Sequence, residues 1–224
     1  AQPGGQCSEI YPKKPIYDIP AYPEILAGDL TDKLLEQIKQ FEPGFTLGER
    51  AETIEKQADE TFIVTTNKGT KHHAKIVAIA GGLGSFEPRK PPISNIADFE
   101  DKGVEYIIKE PALYRNKRVV ISGGGDSALD WAIFLSDIAS EVTLIHRRNE
   151  FRGALDSVEK VQELKNLGVI KLITPAEVTG IVGTDKVEGV SLIQNGEAPY
   201  TIQTDHFIPL FGLSPKLGPI ANWG

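Results

Sequence analysis

A strand, a glycine turn, a helix and a second strand follow one another between Arg118 and Arg152. The run Arg118–Ser122 (RVVIS) is apolar and β-branched, as in a buried parallel strand, and leads directly into the GxGxxA turn Gly123–Ala128. An amphipathic segment follows the turn, and Val142–Ile145 (VTLI) predicts the next strand. This order raises a glycine fingerprint above chance, so the stretch predicts a dinucleotide-binding unit.

The positions of the turn have separate physical roles. Gly123 permits the tight turn, Gly125 lets backbone N–H groups approach a pyrophosphate, and Ala128 lets the helix pack closely on the strands. The N-terminus of the helix adds partial positive charge for the phosphates. A glycine-rich turn from strand to helix can also serve packing alone, so the turn by itself leaves its ligand open.

The end of the second strand distinguishes between the two nicotinamide dinucleotides. Units that bind NAD place an Asp or Glu there for the ribose hydroxyls, about 20 residues past the glycines. Here the strand ends in His146-Arg147-Arg148, and Arg152 follows. Guanidinium groups bind a 2′-phosphate through paired hydrogen bonds, so these residues predict an NADP(H) site. The alternative is a solvated basic strand end.

Composition excludes several classes of function. The 224 residues suffice for one or two domains, and a formal net charge of −7 argues against a nucleic-acid partner. No apolar run reaches the roughly 18 residues of a membrane span, and no signal peptide opens the chain. Cys7 is the only cysteine, which excludes an intrachain disulfide, a CxxC pair and a zinc site, and we expect a reducing cytoplasm.

The N-terminal half is expected to contain one helix. Residues 1–22 are rich in Gly, Pro and Tyr, which predicts a surface loop without a helix. From Asp29 to Phe41, apolar residues recur at helical spacing, with Thr31 as a candidate cap and Pro43-Gly44 as the stop.

A β-rich region follows this helix. Thr61–Thr66 alternates polar and apolar residues, and Asn67-Lys68-Gly69 predicts a hairpin turn. The pair His72-His73 is expected at the surface, because neighbouring side chains of a strand point to opposite faces. Lys75–Ala80 (KIVAIA) predicts a buried strand that ends at Gly81-Gly82.

The second half repeats this order after its glycine turn. We predict a helix, a strand, a hairpin and a final strand, over Ser157–Leu167, Ile170–Ile173, Val187–Gln194 with Tyr200–Gln203 around the turn Asn195-Gly196, and His206–Gly212. Two dinucleotide-binding units of α/β class are therefore expected, of which only the second keeps its glycine turn. The chain contains no methionine, so we expect a fragment, with the first unit's own turn preceding Ala1.

The stretch from Tyr114 to Arg152 closely resembles the NADPH domain of the thioredoxin reductase family, in which GGGxSA and IASEVxLIHRR recur. The termini GGQCSEIYPKKPIYDIP and FGLSPKLGPIANWG resemble one subgroup, the ferredoxin (flavodoxin)–NADP reductases of thioredoxin-reductase type. The resemblance implies two Rossmann-like, three-layer ββα domains that bind FAD and NADP(H). They are expected at 1–112, an incomplete FAD-binding domain to which 213–224 return, and at 113–212, the NADP(H)-binding domain.

The resemblance also implies which residues contact each cofactor. The pyrophosphate of NADPH would lie on the glycine turn, and the basic residues would surround its 2′-phosphate. FAD would run along the first glycine pair, stack on a tyrosine and approach the second glycine pair. The cofactor-binding residues are therefore expected to be Gly5, Gln6, Tyr11, Gly81, Gly82, Gly123, Gly124, Gly125, Asp126, Ser127, Ala128, His146, Arg147, Arg148 and Arg152.

One departure from the wider family concerns the electron acceptor. Thioredoxin reductases carry CxxC just before the strand that follows YRN, whereas residues 103–116 here contain no cysteine. The resemblance therefore implies an enzyme that passes electrons between NADPH and ferredoxin or flavodoxin through FAD, without a catalytic acid or base, since the flavin performs the chemistry. Family members suggest a homodimer.

Two other functions stay open at this point. A cysteine-less relative could reduce a low-molecular-weight disulfide, and the fragment itself could act only as an NADP(H)-binding module. The segment that holds the FAD ribityl chain in the family is absent, so we expect the fragment to hold FAD poorly. The basic pairs Lys13-Lys14 and Arg89-Lys90 could steer an acidic ferredoxin or could be ordinary solvated side chains.

Overall fold

The chain folds into two units in a computed structural model that describes residues 2–82 and 84–223. Unit 1 comprises Ala1–Glu87 and Ser214–Gly224, and unit 2 comprises Pro88–Leu213. The chain thus leaves unit 1 once and returns to it near its C-terminus.

Unit 1 begins with short elements and continues into a helix and an antiparallel sheet. A one-turn helix is followed by two paired strands, a longer helix with a 3-10 extension at Lys39–Phe41, and three strands in the order β3-β4-β5. Their bounds are α1 Gln6–Glu9, β1 Pro15–Ile16, β2 Ile25–Leu26, α2 Ala27–Ile38, β3 Ala51–Lys56, β4 Phe62–Thr66, β5 Lys71–Ala74 and β6 Ser85–Pro88. The hairpin predicted around Asn67-Lys68-Gly69 is confirmed, and His72 and His73 are exposed as predicted.

Two predictions about the helices of unit 1 are wrong. Residues 1–22 do contain a helix, α1, because the prolines lie outside Gln6–Glu9 and Gly5, at φ 53°, turns the chain into it. The second helix starts before Asp29, and Thr31 does not cap it. The Thr31 hydroxyl instead donates to the Ala27 carbonyl inside the helix, at 3.2 Å.

The buried strand predicted over Lys75–Ala80 is also wrong. These residues form no strand, and Ile76 and Ile79 are 84% and 59% exposed. An apolar β-branched run becomes a buried strand only when a neighbouring strand completes its hydrogen bonds. Within residues 2–82 and 84–223, no strand pairs with this run.

Unit 2 contains a parallel sheet of four strands and an antiparallel sheet of three strands, preceded by two 3-10 turns at Ile96–Phe99 and Pro111–Tyr114. The bounds are β7 Arg118–Ser122, α3 Asp126–Ser136, β8 Glu141–Ile145, α4 Leu155–Asn166, β9 Ile170–Ile173, β10 Ala176–Val182, β11 Gly189–Gln194, β12 Tyr200–Gln203 and β13 His206–Pro209. The order is β13-β7-β8-β9 in the parallel sheet and β10-β11-β12 in the antiparallel sheet.

The elements predicted around the glycine turn are confirmed, and so is the α/β class. The sequence analysis missed β10, whose strand pattern is interrupted by Gly180 and by a register shift between Val178 and Gly180. In the loop after β11, Asn195 and Gly196 both have positive φ, which is the backbone of the predicted tight turn.

Residues 88–112 pack within unit 2. Ile93, Phe99 and Val104 share a buried core with Val120 and Phe207. The Asn95 side chain also donates to the Ile181 carbonyl at 2.8 Å and accepts from the Ile181 N–H at 3.2 Å. The structural boundary therefore falls before Pro88, earlier than the boundary predicted at residue 112.

The assignment of 1–112 with 213–224 to FAD and of 113–212 to NADP(H) stays a prediction. Ala1, Leu83 and Gly224, which belong to the first of these ranges, lie outside the described residues. The last strand, β14 Leu213–Lys216, pairs with β6 where the chain re-enters unit 1. None of the described helices combines the length and apolar character needed to cross a bilayer.

Candidate dinucleotide-binding site

The glycine turn lies at the carboxyl edge of the parallel sheet, where β7 and β8 end side by side. Ser122 pairs with Ile145, and the Gly123 N–H donates to the Ile145 carbonyl at 3.0 Å. A Cβ on Gly123 would lie 2.7 Å from the Leu210 carbonyl oxygen and 2.8 Å from the Ala128 Cβ. Gly123 is thus required by the close approach of helix and strands, and Ala128 is fully buried as predicted.

Gly125, unlike Gly123, borders open space. It precedes α3 with an extended backbone, and no described atom outside its neighbours lies within 4 Å of the position its Cβ would take. Asp126 and Ser127, the first residues of the helix, are exposed. Because the first N–H groups of a helix lack intrahelical partners, this open end of α3 fits the pyrophosphate of a dinucleotide.

The segment that follows the basic residues folds back onto the glycine turn. The Arg152 N–H donates to the Gly124 carbonyl at 2.7 Å, and the Ala154 N–H donates to Asp126 Oδ1 at 2.7 Å. A Cβ on Gly153 would lie 2.4 Å from Leu129 Cδ1, so this glycine is required by packing. The Asp126 carboxylate therefore anchors the loop, a role that the sequence analysis missed.

Arg147, Arg148 and Arg152 are exposed around this turn. None of the ion pairs found within residues 2–82 and 84–223 involves any of the three guanidinium groups. They form a group of exposed guanidinium groups outside these ion pairs, in a chain of net charge −7, and such groups can bind a dianionic phosphate.

Arg147 also borders a shallow pocket of about 380 Å³. The pocket lies against the start of β10 and the turn after β11, and its other lining residues are Pro175, Ala176, Glu177, Thr179, Ile193, Asn195 and Gly196. The sequence analysis did not connect these residues with the basic cluster, because their pairing follows from β10, which it missed.

His146 differs from the arginines that follow it. The side chain is buried, and its ring stacks on Phe151 with the centroids 5.2 Å apart. Burial lowers the pKa of the imidazole, and the charges of Arg147, Arg152 and Arg148 lower it further, against a hydrogen bond with the Glu150 backbone. The ring is therefore neutral near pH 7 and sits beneath the surface that the arginines form.

The residues expected at FAD lie in unit 1. Gly5 and Gly82 have positive φ, and no described atom outside their neighbours lies within 4 Å of either Cβ position. Tyr11 is half-buried, and burial together with the nearby Cys7 raises the pKa of its hydroxyl. No hydrogen bond among the described residues joins the Gly5–Tyr11 segment to Gly81-Gly82.

The glycine turn and the open end of α3 at the carboxyl edge of a parallel sheet form an arrangement that is typical of dinucleotide-binding units. A model of the family described as pyridine nucleotide-disulphide oxidoreductase matches residues 3–219. The chain belongs to this family.

The similar proteins agree with the resemblance to ferredoxin–NADP reductases. A protein of Flavobacterium johnsoniae named ferredoxin–NADP reductase is 74% identical over 100% of this chain, which spans 63% of that protein. Ferredoxin–NADP reductase 2 of Christiangramia forsetii is 72% identical over 100% of this chain and 64% of its own length. The chain thus spans less than two thirds of these relatives.

Solved structures show the same fold. The crystal structure of Lactococcus lactis thioredoxin reductase in its FR conformation matches 100% of this chain and 71% of its own chain, with a TM-score of 0.83 at 24% identity. The predicted similarity to the thioredoxin reductase fold is thereby confirmed.

Proposed function

We propose that unit 2 binds NADP(H) and that the chain is part of a flavoprotein that exchanges electrons between NADPH and ferredoxin or flavodoxin. The observation that supports NADP(H) binding is the group of three exposed arginines, outside the ion pairs of the described residues, beside an open glycine turn. The second half is supported by the names of the relatives.

In this proposal the dinucleotide lies across the edge of the parallel sheet. The pyrophosphate meets the N–H groups at Gly125, Asp126 and Ser127, where the space above the turn is open. The 2′-phosphate lies among the guanidinium groups of Arg147, Arg148 and Arg152. The residues that directly follow β8 are His146, Arg147 and Arg148, so the strand end itself carries no acidic residue of the kind that binds ribose hydroxyls in NAD-binding units.

FAD is the second cofactor of the proposal. The positive φ and open Cβ positions of Gly5 and Gly82 fit a backbone that approaches a bound group closely. Gly5, Gln6, Tyr11, Gly81 and Gly82 would line this site, with Tyr11 against the ring. When bound, FAD accepts a hydride and releases electrons singly, and this chain's residues would supply contact and orientation.

The cysteine content of these residues supports the proposed acceptor. Cys7 is the only cysteine in the chain, so these residues offer no dithiol to relay electrons to a disulfide. A one-electron carrier is the acceptor that this favours. Lys90 is a weak candidate for steering it, because its ammonium group already contacts Glu100 at 2.6 Å and lies 5.4 Å from the Tyr106 ring centroid.

A homodimer in the cytoplasm is the setting we propose for this activity, by analogy with the family. Size-exclusion chromatography with light scattering would test the dimer, and a monomeric mass for the purified holoprotein would refute it.

The test of the function is NADPH-driven reduction of ferredoxin coupled to cytochrome c, with FAD present and with NADH and a small disulfide run beside it. We expect cytochrome c reduction that requires both NADPH and ferredoxin. Reduction of the disulfide instead would favour the alternative acceptor. NADPH binding without electron transfer by the FAD-loaded protein would leave only a binding module.

A further inference from the structure

His146 occupies the first position after β8, and its backbone is held on both sides. Its N–H donates to the Ile173 carbonyl at 3.2 Å, and its carbonyl accepts from the Ala176 N–H at 2.9 Å. The residue thus joins the end of β9 to the start of β10. It has little freedom to move toward the surface.

The His146 ring fills the space directly over Gly124. A Cβ on Gly124 would lie 2.2 Å from Cε1, 2.4 Å from Nε2 and 2.5 Å from Nδ1 of the ring. Side chains do not tolerate such distances, so this ring is the reason that residue 124 must be glycine. The neighbouring glycines differ, because close packing requires Gly123 and the space beside Gly125 is open.

The His146 ring also contacts Phe151. The two rings are stacked at an interplanar angle of 22°, and Phe151 is adjacent to Arg152, whose N–H is bonded to the Gly124 carbonyl. Gly124, His146, Phe151 and Arg152 therefore form one contiguous group. The imidazole lies in its middle as a spacer.

A contact between His146 and a phosphate is unfavourable in this arrangement. The side chain is only 7% exposed, and its Nε2 atom is fully buried without a hydrogen-bond partner among the described residues. A ligand at the surface does not reach this atom while it stays buried. A buried nitrogen without a hydrogen bond lowers the stability of the fold. The ring is therefore expected to have a role at this position that offsets this cost.

We propose that His146 is a positioning residue for the NADP(H) site. Its ring, which contacts both Gly124 and Phe151, holds the loop of Arg152 against the glycine turn and so places that guanidinium group at the 2′-phosphate. The inference rests on the proposed NADP(H) site, and it separates His146 from the arginines that contact the ligand.

The test compares two replacements of His146 by titration calorimetry with 2′,5′-ADP, which carries the 2′-phosphate, and with 5′-AMP, which lacks it. H146F keeps an aromatic wedge and is expected to bind 2′,5′-ADP within about threefold of the unmodified protein. H146A removes the wedge and is expected to weaken 2′,5′-ADP about tenfold, the effect of one misplaced charged contact. Equal, phosphate-specific losses in both variants would show that His146 is itself a phosphate ligand and would overturn the proposal.

A double-mutant cycle tests the link to Arg152. If His146 acts through Arg152, R152Q should add little to H146A, whereas R148Q should add its full effect. Additive losses for H146A and R152Q would contradict the link. Circular dichroism of each variant, with the unmodified protein as the folded reference, identifies any variant that fails to fold.

The unmodified protein separates this inference from the proposed function. If it binds 2′,5′-ADP no better than 5′-AMP, the NADP(H) site itself is refuted. If it discriminates and H146F fails, only the role of His146 is refuted.

Discussion

The two units contain similar strand-forming sequences with different outcomes. In unit 2, Arg118–Ser122 lies between β13 and β8, and its apolar residues are buried. In unit 1, Lys75–Ala80 is as apolar and β-branched, yet within the described part of the chain it pairs with no strand and its isoleucines are exposed. The difference shows that neighbouring strands, more than local propensity, convert such a run into a strand.

Truncation of one phenylalanine in each unit should show the largest difference in stability. Phe207 is fully buried in unit 2, and we expect F207A to lower the free energy of unfolding by about 3–5 kcal/mol. Phe41 in unit 1 is 74% exposed, and F41A should change it by no more than about 0.5 kcal/mol. Urea unfolding followed by circular dichroism measures both, and a comparable loss in F41A would show that its ring is covered in solution.

Substitution of the first and third glycines of the turn should distinguish a packing role from a ligand-binding role. In G123A the new methyl group meets the Leu210 carbonyl and Ala128, so we expect a stability loss of about 1–3 kcal/mol. In G125A the methyl group meets no described protein atom, so stability should hold while NADPH and NADH both bind about tenfold more weakly. Thermal unfolding and calorimetric titration check the pair, and unchanged binding in G125A would argue against a pyrophosphate there.

The smallest effect we predict concerns acid stability in unit 2. Hydrogen bonds from the Arg118 side chain and N–H, opposed by burial, lower the pKa of Asp205 to about 2. A depressed carboxyl pKa stabilises the fold above the unfolded value of about 3.9, and this contribution is lost as pH falls toward 2.

The partly exposed pair should be worth only about 1 kcal/mol after solvent screening, so D205N should lower stability by that amount at pH 7. The difference between D205N and the unmodified protein should shrink steadily as the pH falls from 5 toward and through 2. The matched control is D185N, at an exposed position outside the ion pairs of the described residues, and a difference that stays constant between pH 5 and pH 2 would refute the assignment.

Secondary structure was predicted correctly where each strand finds its hydrogen-bonding partners within the same unit. The glycine turn, α3 and the parallel strands around it have partners within unit 2, so periodicity and turn chemistry sufficed. Lys75–Ala80 failed because pairing is not a local property. The one-turn helix at Gln6–Glu9 was missed because the prolines around it argued against a helix, although the four helical residues themselves include no proline.

The residue types of the candidate site could be predicted from the sequence, but which of its side chains are buried could not. The basic cluster could be read from residues 146–152, because strand ends present such groups to a ligand. The burial of His146 could not, since it depends on Phe151 folding back over Gly124. That contact joins residues from three parts of the chain, and no spacing rule encodes it.

The central claim is that unit 2 selects NADP(H) through its arginines, and cofactor affinities of R147Q and R148Q test it most directly. A charge-assisted contact contributes roughly 1.5–3 kcal/mol, so each substitution should weaken NADPH by about one to two orders of magnitude and leave NADH nearly unchanged. Equal weakening of NADPH and NADH would contradict the 2′-phosphate assignment.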